Sequence, residues 1–302
     1  MRFSRTAADL LLLAVCVIWG GSFVVVRDSV QSIPPFLLIG GRFLLASFAL
    51  AIAFPRSFRR WRESLGPGLI LSSLLLGGFV LQTYGLRYTE ASTSGFITGL
   101  NVIFVALIAV LCGTQKLTRR RILGVALAAA GMTVLSWRPG GWHFGRGDLL
   151  TLGCAAFFAL HIVATGLLVP DRDPVALSGI QFTAIALVAL GMNAVLGEGF
   201  DLPGVTGTAA LCYLGLAATA FAFLVQTVAQ RHTSAVDTAI IFSTEPLFAA
   251  AIAVLLGGEP LTIQMLAGGS GIFGAMLLSV LTPSPAALSA TSQDPGRILP
   301  GS

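Results

Sequence analysis

Two charged residues, Arg42 and Glu245, stand inside long apolar runs, and Gln82, Asn101, His161 and Gln226 stand in others. Polar groups surrounded by hydrocarbon are costly, so they belong on an interior face where they pair, relay protons or touch a polar ligand. A carboxylate there can carry a proton or hold an ammonium group, and an imidazole can relay a proton or hold a carboxylate. Amide side chains offer both donors and acceptors to a zwitterion. Bond-making chemistry is not indicated. There is no Gly-x-Ser-x-Gly nucleophile, no Asp cluster for a metal diphosphate and no His-Glu-x-x-His, and the three histidines, His143, His161 and His232, are far apart. Neither an enzyme nor a cofactor or metal site is expected.

The elements that carry these residues follow from composition. Of 302 residues, 55% are apolar and 10% charged, against roughly 45 to 50% and 25% in soluble domains. Too little charge is present to clothe a water-soluble surface, which places the chain in lipid. Thirty-five glycines agree with close helix packing there. Ten runs are near the roughly 20 residues that cross a hydrocarbon core: 8–26, 34–54, 67–86, 92–112, 121–137, 148–169, 175–196, 206–228, 235–256 and 262–281. Short breaks rich in turn residues separate them, among them Pro34-Pro35, Gly66-Pro67 and Pro139-Gly140-Gly141. No small-x-small cleavage site precedes Arg27, so the first run reads as a span rather than a signal peptide. Residues 282–302 lack an apolar period and are expected to be a disordered tail. Cys16, Cys112, Cys154 and Cys212 lie in apolar runs without ligand spacing and are expected to be buried.

The net charge of +5 comes from short Arg clusters between spans, a membrane-orientation pattern and not a nucleic-acid one. With the N-terminus inside, thirteen of the 18 Lys and Arg residues face the cytoplasm and four face out, leaving Arg42 within a span. Both termini are therefore expected in the cytoplasm, with anionic lipids as partners of the basic clusters.

Shifted by 144 residues, segment 82–118 lies on 226–262 without a gap. Gln82 falls on Gln226, Arg87 on Arg231, Thr89 on Thr233, and Ile108-Ala109-Val110-Leu111 on Ile252-Ala253-Val254-Leu255. At a shift of 139, Asp9-Leu10-Leu11 falls on Asp148-Leu149-Leu150. The unit is five spans, and since five is odd the second copy is inverted. Residues 1–137 form the first expected repeat and 138–281 the second. Inverted repeats are a common construction of secondary transporters, with substrate held at mid-membrane between the halves.

Arg42 lies eight residues into its span, about 12 Å deep, and Glu245 about 15 Å from the opposite face, so their depths match. A structural ion pair, a Glu245 that satisfies backbone freed by Pro246, proton coupling and contact with a substrate ammonium are all open readings. Pro246 should bend its span near Glu245 and could form a gate. Asp237, at the start of the same span, is expected to cap it, and its counterpart Thr93 to cap span 4. Under the 139 shift Trp19 and Ser22 correspond to Phe158 and His161, which makes an aromatic and polar pair repeated about the pseudo-axis. These four, with Gln82 and Gln226, are the candidate substrate residues; Arg42, Asn101, Glu245 and Pro246 are candidates for gating or coupling. Hydrogen bonding between helices is the alternative for His161 and the amides. Among Phe79, Tyr84, Phe96, Phe157, Phe221, Phe223 and Phe242, some rings should line a cavity and most should pack or face lipid. Gly95 with Gly99, and Ala267 with Gly271 and Ala275, mark expected close helix contacts.

Several strings resemble the EamA family of the drug/metabolite transporter superfamily. They are Trp19-Gly20-Gly21-Ser22-Phe23, Arg42-Phe43, Tyr88-Thr89-Glu90-Ala91-Ser92 leading to Gly99-Leu100-Asn101-Val102-Ile103-Phe104, and Glu245-Pro246-Leu247-Phe248. Their order and spacing carry the likeness across residues 8 to 281. The resemblance implies an all-α membrane protein of ten helices, built as two inverted five-helix repeats around a central cavity. It also implies export of amino acids or other small metabolites, with aromatic amino acid exporters the most similar in character. Val102 stands where the family often has Pro, so the residue that would kink span 4 is absent. Phosphorylated cargo would need more cations than Arg42, so an amphiphilic zwitterion or a neutral metabolite fits better. A drug-like cation, or a channel instead of a carrier, is the alternative. The expected location is the inner membrane, and nothing in the sequence sets an oligomeric state.

Overall fold

A computed structural model describes residues 5–57, 61–114, 118–135, 145–201, 204–257 and 262–280. The described residues are all helix, turn and loop, as expected of a chain whose apolar runs satisfy their own backbone in lipid. The helices are α1 (Arg5–Ser29), α2 (Pro35–Ala53), α3 (Trp61–Gly85), α4 (Ala91–Gly99), α5 (Asn101–Leu111), α6 (Arg119–Leu135) and α7 (Arg146–Leu168). There follow α8 (Pro174–Val195), α9 (Val205–Cys212), a π-helical stretch (Tyr213–Phe221), α10 (Ala222–Ala229), α11 (Ala235–Phe242), α12 (Glu245–Gly257) and α13 (Ile263–Val280). Among the described residues, eight stretches are long and apolar enough to cross a membrane. Helices α6 and α13, at the places of the fifth and tenth expected spans, are not among the eight and pack extensively on each other. Outward-facing Ile52, Leu111, Val205 and Ile263 are each at least 80% exposed. In water that surface would be an aggregation liability, whereas lipid accepts it.

Local signals set several helix ends. Asp173 accepts from the Val175 N–H at 2.9 Å ahead of Pro174, a cap followed by a residue whose missing N–H is harmless there. Gly113 and Gly197, with φ of 64° and 67°, follow the ends of α5 and α8 in the left-handed region that glycine tolerates.

Other expectations require correction. Pro67 was placed in a break but lies inside α3, which starts at Trp61. The carbonyl it leaves without a donor belongs to Glu63 on the exposed first turn, where solvent can supply the bond. Cys16 and Cys154 are buried, but Cys112 and Cys212 face outward, where lipid suits a small apolar side chain. Asp237 does not cap α11. Ser234 does, accepting from the Asp237 N–H at 3.1 Å, so the Asp237 carboxylate is left for cations. It accepts from Arg121 Nη2 at 3.0 Å and from Arg5 Nη2 at 3.3 Å, which ties α11 to α6 and α1. Glu90, not Thr93, occupies the N-cap position of α4. The expected tail and the loop containing His143 lie outside the described residues.

The spans expected at 92–112 and 235–256 are both interrupted. One breaks at Leu100 between α4 and α5, the other at Ser243-Thr244 between α11 and α12. Leu100 and Thr244 are 144 residues apart, the offset of the repeated strings. The second break has Pro246, and the hydroxyls of Ser243 and Thr244 donate to the carbonyls of Ile240 and Ile241 at 2.6 and 2.8 Å. The first forms without proline. Gly99 adds a weak helix former at the break, and a Cβ there would lie 2.8 Å from Met132 Sδ and 3.3 Å from Pro246 Cγ. The two interruptions therefore abut.

Candidate functional site

Beside these breaks the bundle encloses a cavity with about 540 Å³ of empty space, its mouth included. Helices α1, α2, α3, α4, α5, α7, α10, α11 and α12 all contribute to its wall. Nine of the ten candidates line it: Trp19, Ser22, Arg42, Gln82, Asn101, Phe158, His161, Gln226 and Glu245. Pro246 is not on the wall but fixes the turn beside it.

Trp19 anchors the aromatic side. Its ring packs against the three larger buried clusters, with centroids 5.1 Å from Phe223 and 5.0 Å from Phe242. Its Nε1–H donates to the Ala218 carbonyl at 2.9 Å. Gly20 lets α1 approach this closely, since a Cβ there would lie 2.9 Å from the Ala249 nitrogen and 3.2 Å from the Glu245 carbonyl oxygen. Phe79 links Phe158 and Phe223 at 5.5 and 5.8 Å. Phe158 packs against Gly78, where a Cβ would meet its ring at 2.3 Å. Of the other aromatics singled out, Phe242 and Phe223 line the cavity and Phe221 faces outward. Such contacts favour an apolar or aromatic ligand body.

The polar side differs from the expected arrangement. Arg42 is buried but does not pair with Glu245. Its Nε donates to Thr219 Oγ1 at 2.8 Å, its Nη2 to the Ala218 carbonyl at 3.4 Å, and its guanidinium lies 4.6 Å from the Phe79 ring centroid. The cation therefore finds a hydroxyl, a carbonyl and a π face in place of a carboxylate. Thr219 in turn donates to the Leu214 carbonyl five residues back at 2.6 Å, within the π-helical stretch. Such stretches occur often at functional sites. Among the described residues, no hydrogen bond or ion pair reaches the Glu245 carboxylate.

His161 has a neighbour that the sequence reading did not single out. Gln181 on α8 gives its Nε2 to the Leu177 carbonyl at 3.3 Å and so presents Oε1 to His161 Nε2 at 2.9 Å. That assignment puts the imidazole proton on Nε2. Gln226 is fixed in the same manner. Gln230 Nε2 donates to the Ile162 carbonyl at 2.8 Å, so its oxygen receives Gln226 Nε2 at 3.1 Å. Gln82 Nε2 reaches Thr98 Oγ1 at 3.4 Å, and Ser22 Oγ turns back to the Trp19 carbonyl at 2.9 Å. Gln230 was discoverable, since it stands four residues after Gln226 on one helix face. Gln181 and Thr219 carried no comparable signal. Among the described residues, no cluster of three or more His, Cys, Asp or Glu side chains could hold a metal.

A model of the EamA-like transporter family matches residues 6–137 and again 145–281. An uncharacterised transporter of Archaeoglobus fulgidus is 33% identical over 260 residues, 85% of this chain and 80% of that one. A protein of Salmonella typhimurium named "Probable amino-acid metabolite efflux pump" is 27% identical over 282 residues, 89% of this chain and 93% of its own. A solved crystal structure shares the fold with a TM-score of 0.74 at 19% identity, covering 96% of this chain and 100% of that one.

Proposed function

The chain belongs to the EamA-like transporter family, and from that membership we propose that it exports amino acids with bulky or aromatic side chains, or amphiphiles of similar build, across the inner membrane. The observation that carries this reading is the cavity, where six aromatic residues and a set of polar side chains meet beside two interrupted helices. Rings would take the apolar body of the cargo and the polar groups its charged end. The relative named as an amino-acid metabolite efflux pump supports that cargo class.

In this reading the chain crosses the membrane ten times, as repeats 1–137 and 138–281 in opposite orientation, with 282–302 as a tail and both termini cytoplasmic. The thirteen-to-four bias of Lys and Arg supports that orientation. Each interrupted helix supplies a joint at mid-membrane about which half of a span can tilt, so the cavity opens to one side at a time. The chain acts as a carrier, not an enzyme or a channel. Purified protein in liposomes, given a panel of amino acids with and without a pH gradient, should show saturable uptake with mutual competition among the bulky members. Flux that rises linearly with concentration and shows no competition would identify a channel instead.

A further inference from the structure

Several side-chain donors around the cavity are engaged within the protein, while buried acceptors beside them are not. Trp19 Nε1, Ser22 Oγ, and one N–H each from Gln82, Gln226 and His161 have protein partners. Against this, Gln226 Oε1 and Asn101 Oδ1 are buried without a hydrogen-bond partner, in side chains 1% and 6% exposed. The Gln226 assignment is forced by the chain of bonds from Ile162 through Gln230, which leaves its oxygen as the free atom. Glu245 brings a carboxylate, also unpartnered among the described residues, to the same cavity.

Two of these groups, Asn101 and Glu245, are brought together by the interrupted helices, and Gln226 lines the same cavity from α10. Asn101 begins α5 and Glu245 begins α12, 144 residues apart, and Gly99 and Pro246 place the two starts against each other. Glu245 is the first residue of α12, and among the described residues neither of its carboxylate oxygens is consumed in a side-chain bond. Native proteins rarely leave buried acceptors unmatched, so Gln226 Oε1 and Asn101 Oδ1, lining one cavity with the partly exposed Glu245 carboxylate, point to a visiting donor. Arg42 offers no such donor to Glu245, because its guanidinium is turned to Thr219, Ala218 and the Phe79 ring.

Resting on the transporter reading above, we infer that this site recognises its cargo through a primary ammonium group, which donates to the Glu245 carboxylate, Gln226 Oε1 and Asn101 Oδ1. An ammonium group has three N–H donors for three acceptors and neutralises the one lone carboxylate. The carboxylate of an amino acid is then secondary. Arylalkylamines that lack it are cargo as well, and arylalkanoic acids that lack the amine are not.

The test compares three probes of similar bulk, phenylalanine, 2-phenylethylamine and 3-phenylpropionic acid, on the full chain. Binding is read by thermal stabilisation in detergent and uptake in liposomes. Phenylalanine and 2-phenylethylamine should bind and compete with one another, and 3-phenylpropionic acid should bind at least about tenfold more weakly. Glu245→Gln and, separately, Gln226→Met should each weaken binding of 2-phenylethylamine by about tenfold or more. The second variant keeps the test valid if the first fails to fold. Equal binding of the amine and the acid, or unchanged amine binding in a folded Gln226→Met protein, overturns the inference. So does a melting temperature raised by sodium ion and by none of the three probes. If binding depends on the amine but liposomes move no probe, the transporter reading fails and the subsite stands. If liposomes move phenylalanine and 3-phenylpropionic acid equally well, the subsite fails and the transporter reading stands.

Discussion

Arg42 Nε donates to Thr219 Oγ1 at 2.8 Å across 177 residues of sequence, which joins the middle of α2 to the π-helical stretch. That bond, and not an ion pair with Glu245, satisfies the buried guanidinium. Thr219→Val keeps the shape of the side chain and removes the acceptor, so it should destabilise the protein by about 1 to 3 kcal/mol. Arg42→Ala and Glu245→Ala should have additive effects on unfolding free energy in the double variant, within about 0.5 kcal/mol. Recovery of stability in the double variant would show that the two charges do compensate one another.

The His161 and Gln181 pair makes a similar prediction on the other repeat. Gln181 is 2% exposed, and His161→Ala would leave its Oε1 with no donor. His161→Ala should therefore lower stability by about 1 to 3 kcal/mol as well as any transport. Changing both residues to leucine should recover part of that loss, since two apolar partners strand nothing. Thermal melts of the two variants decide the matter; a His161→Ala protein as stable as the parent would mean that the pair carries no structural weight.

Two glycines separate close packing from open helix. A Cβ at Gly20 would come within 2.9 Å of the α12 backbone, whereas nothing lies within 4 Å of one at Gly66. Gly20→Ala should reduce folded yield, because α1 and α12 cannot part without disturbing the Trp19 packing. Gly66→Ala should be neutral or stabilise by about 0.5 to 1 kcal/mol through lower backbone freedom in the unfolded chain. Yield and melting temperature check both, and similar outcomes at the two positions would contradict the geometry.

Asp237 receives Arg121 through two bonds, Nε to Oδ1 at 3.3 Å and Nη2 to Oδ2 at 3.0 Å, and Arg5 through one at 3.3 Å. Its side chain is 6% exposed, and removing its charge takes the carboxylate from Arg121, while Arg5 keeps Asp9 at 3.6 Å. Asp237→Asn should cost about 3 to 5 kcal/mol, and Arg5→Ala distinctly less, because the two-bond partner survives. Equal losses in thermal unfolding would show that the Arg5 and Arg121 contacts have equal weight.

Topology gives the last prediction. Single cysteines placed at 258 to 261, in an otherwise cysteine-free chain, should react with an impermeant maleimide added outside cells. Labelling from the cytoplasmic side alone would refute the inverted orientation of the second repeat.

What the sequence determined by itself is what one-dimensional patterns carry. Hydropathy, run length and the placement of Arg residues depend only on local composition, so the membrane class and the runs that become helices were legible. The 144-residue offset paired Asn101 with Glu245 before either had a position in space, and the two repeat shifts with the polar residues inside apolar runs supplied nine residues that line the cavity. Partners were not legible, because they depend on which rotamers neighbouring helices allow. Arg42 reaches Thr219 and not Glu245 because the π-helical stretch presents a hydroxyl and a carbonyl to it, and no spacing rule shows a π turn in advance. Leu100 interrupts its span without the proline that usually marks such a break, since Gly99 lies where Met132 and Pro246 leave no room for a side chain. Which acceptors stay free is likewise a tertiary outcome. Gln226 Oε1 stays unpaired only because Ile162, on a different helix, has already set the orientation of Gln230.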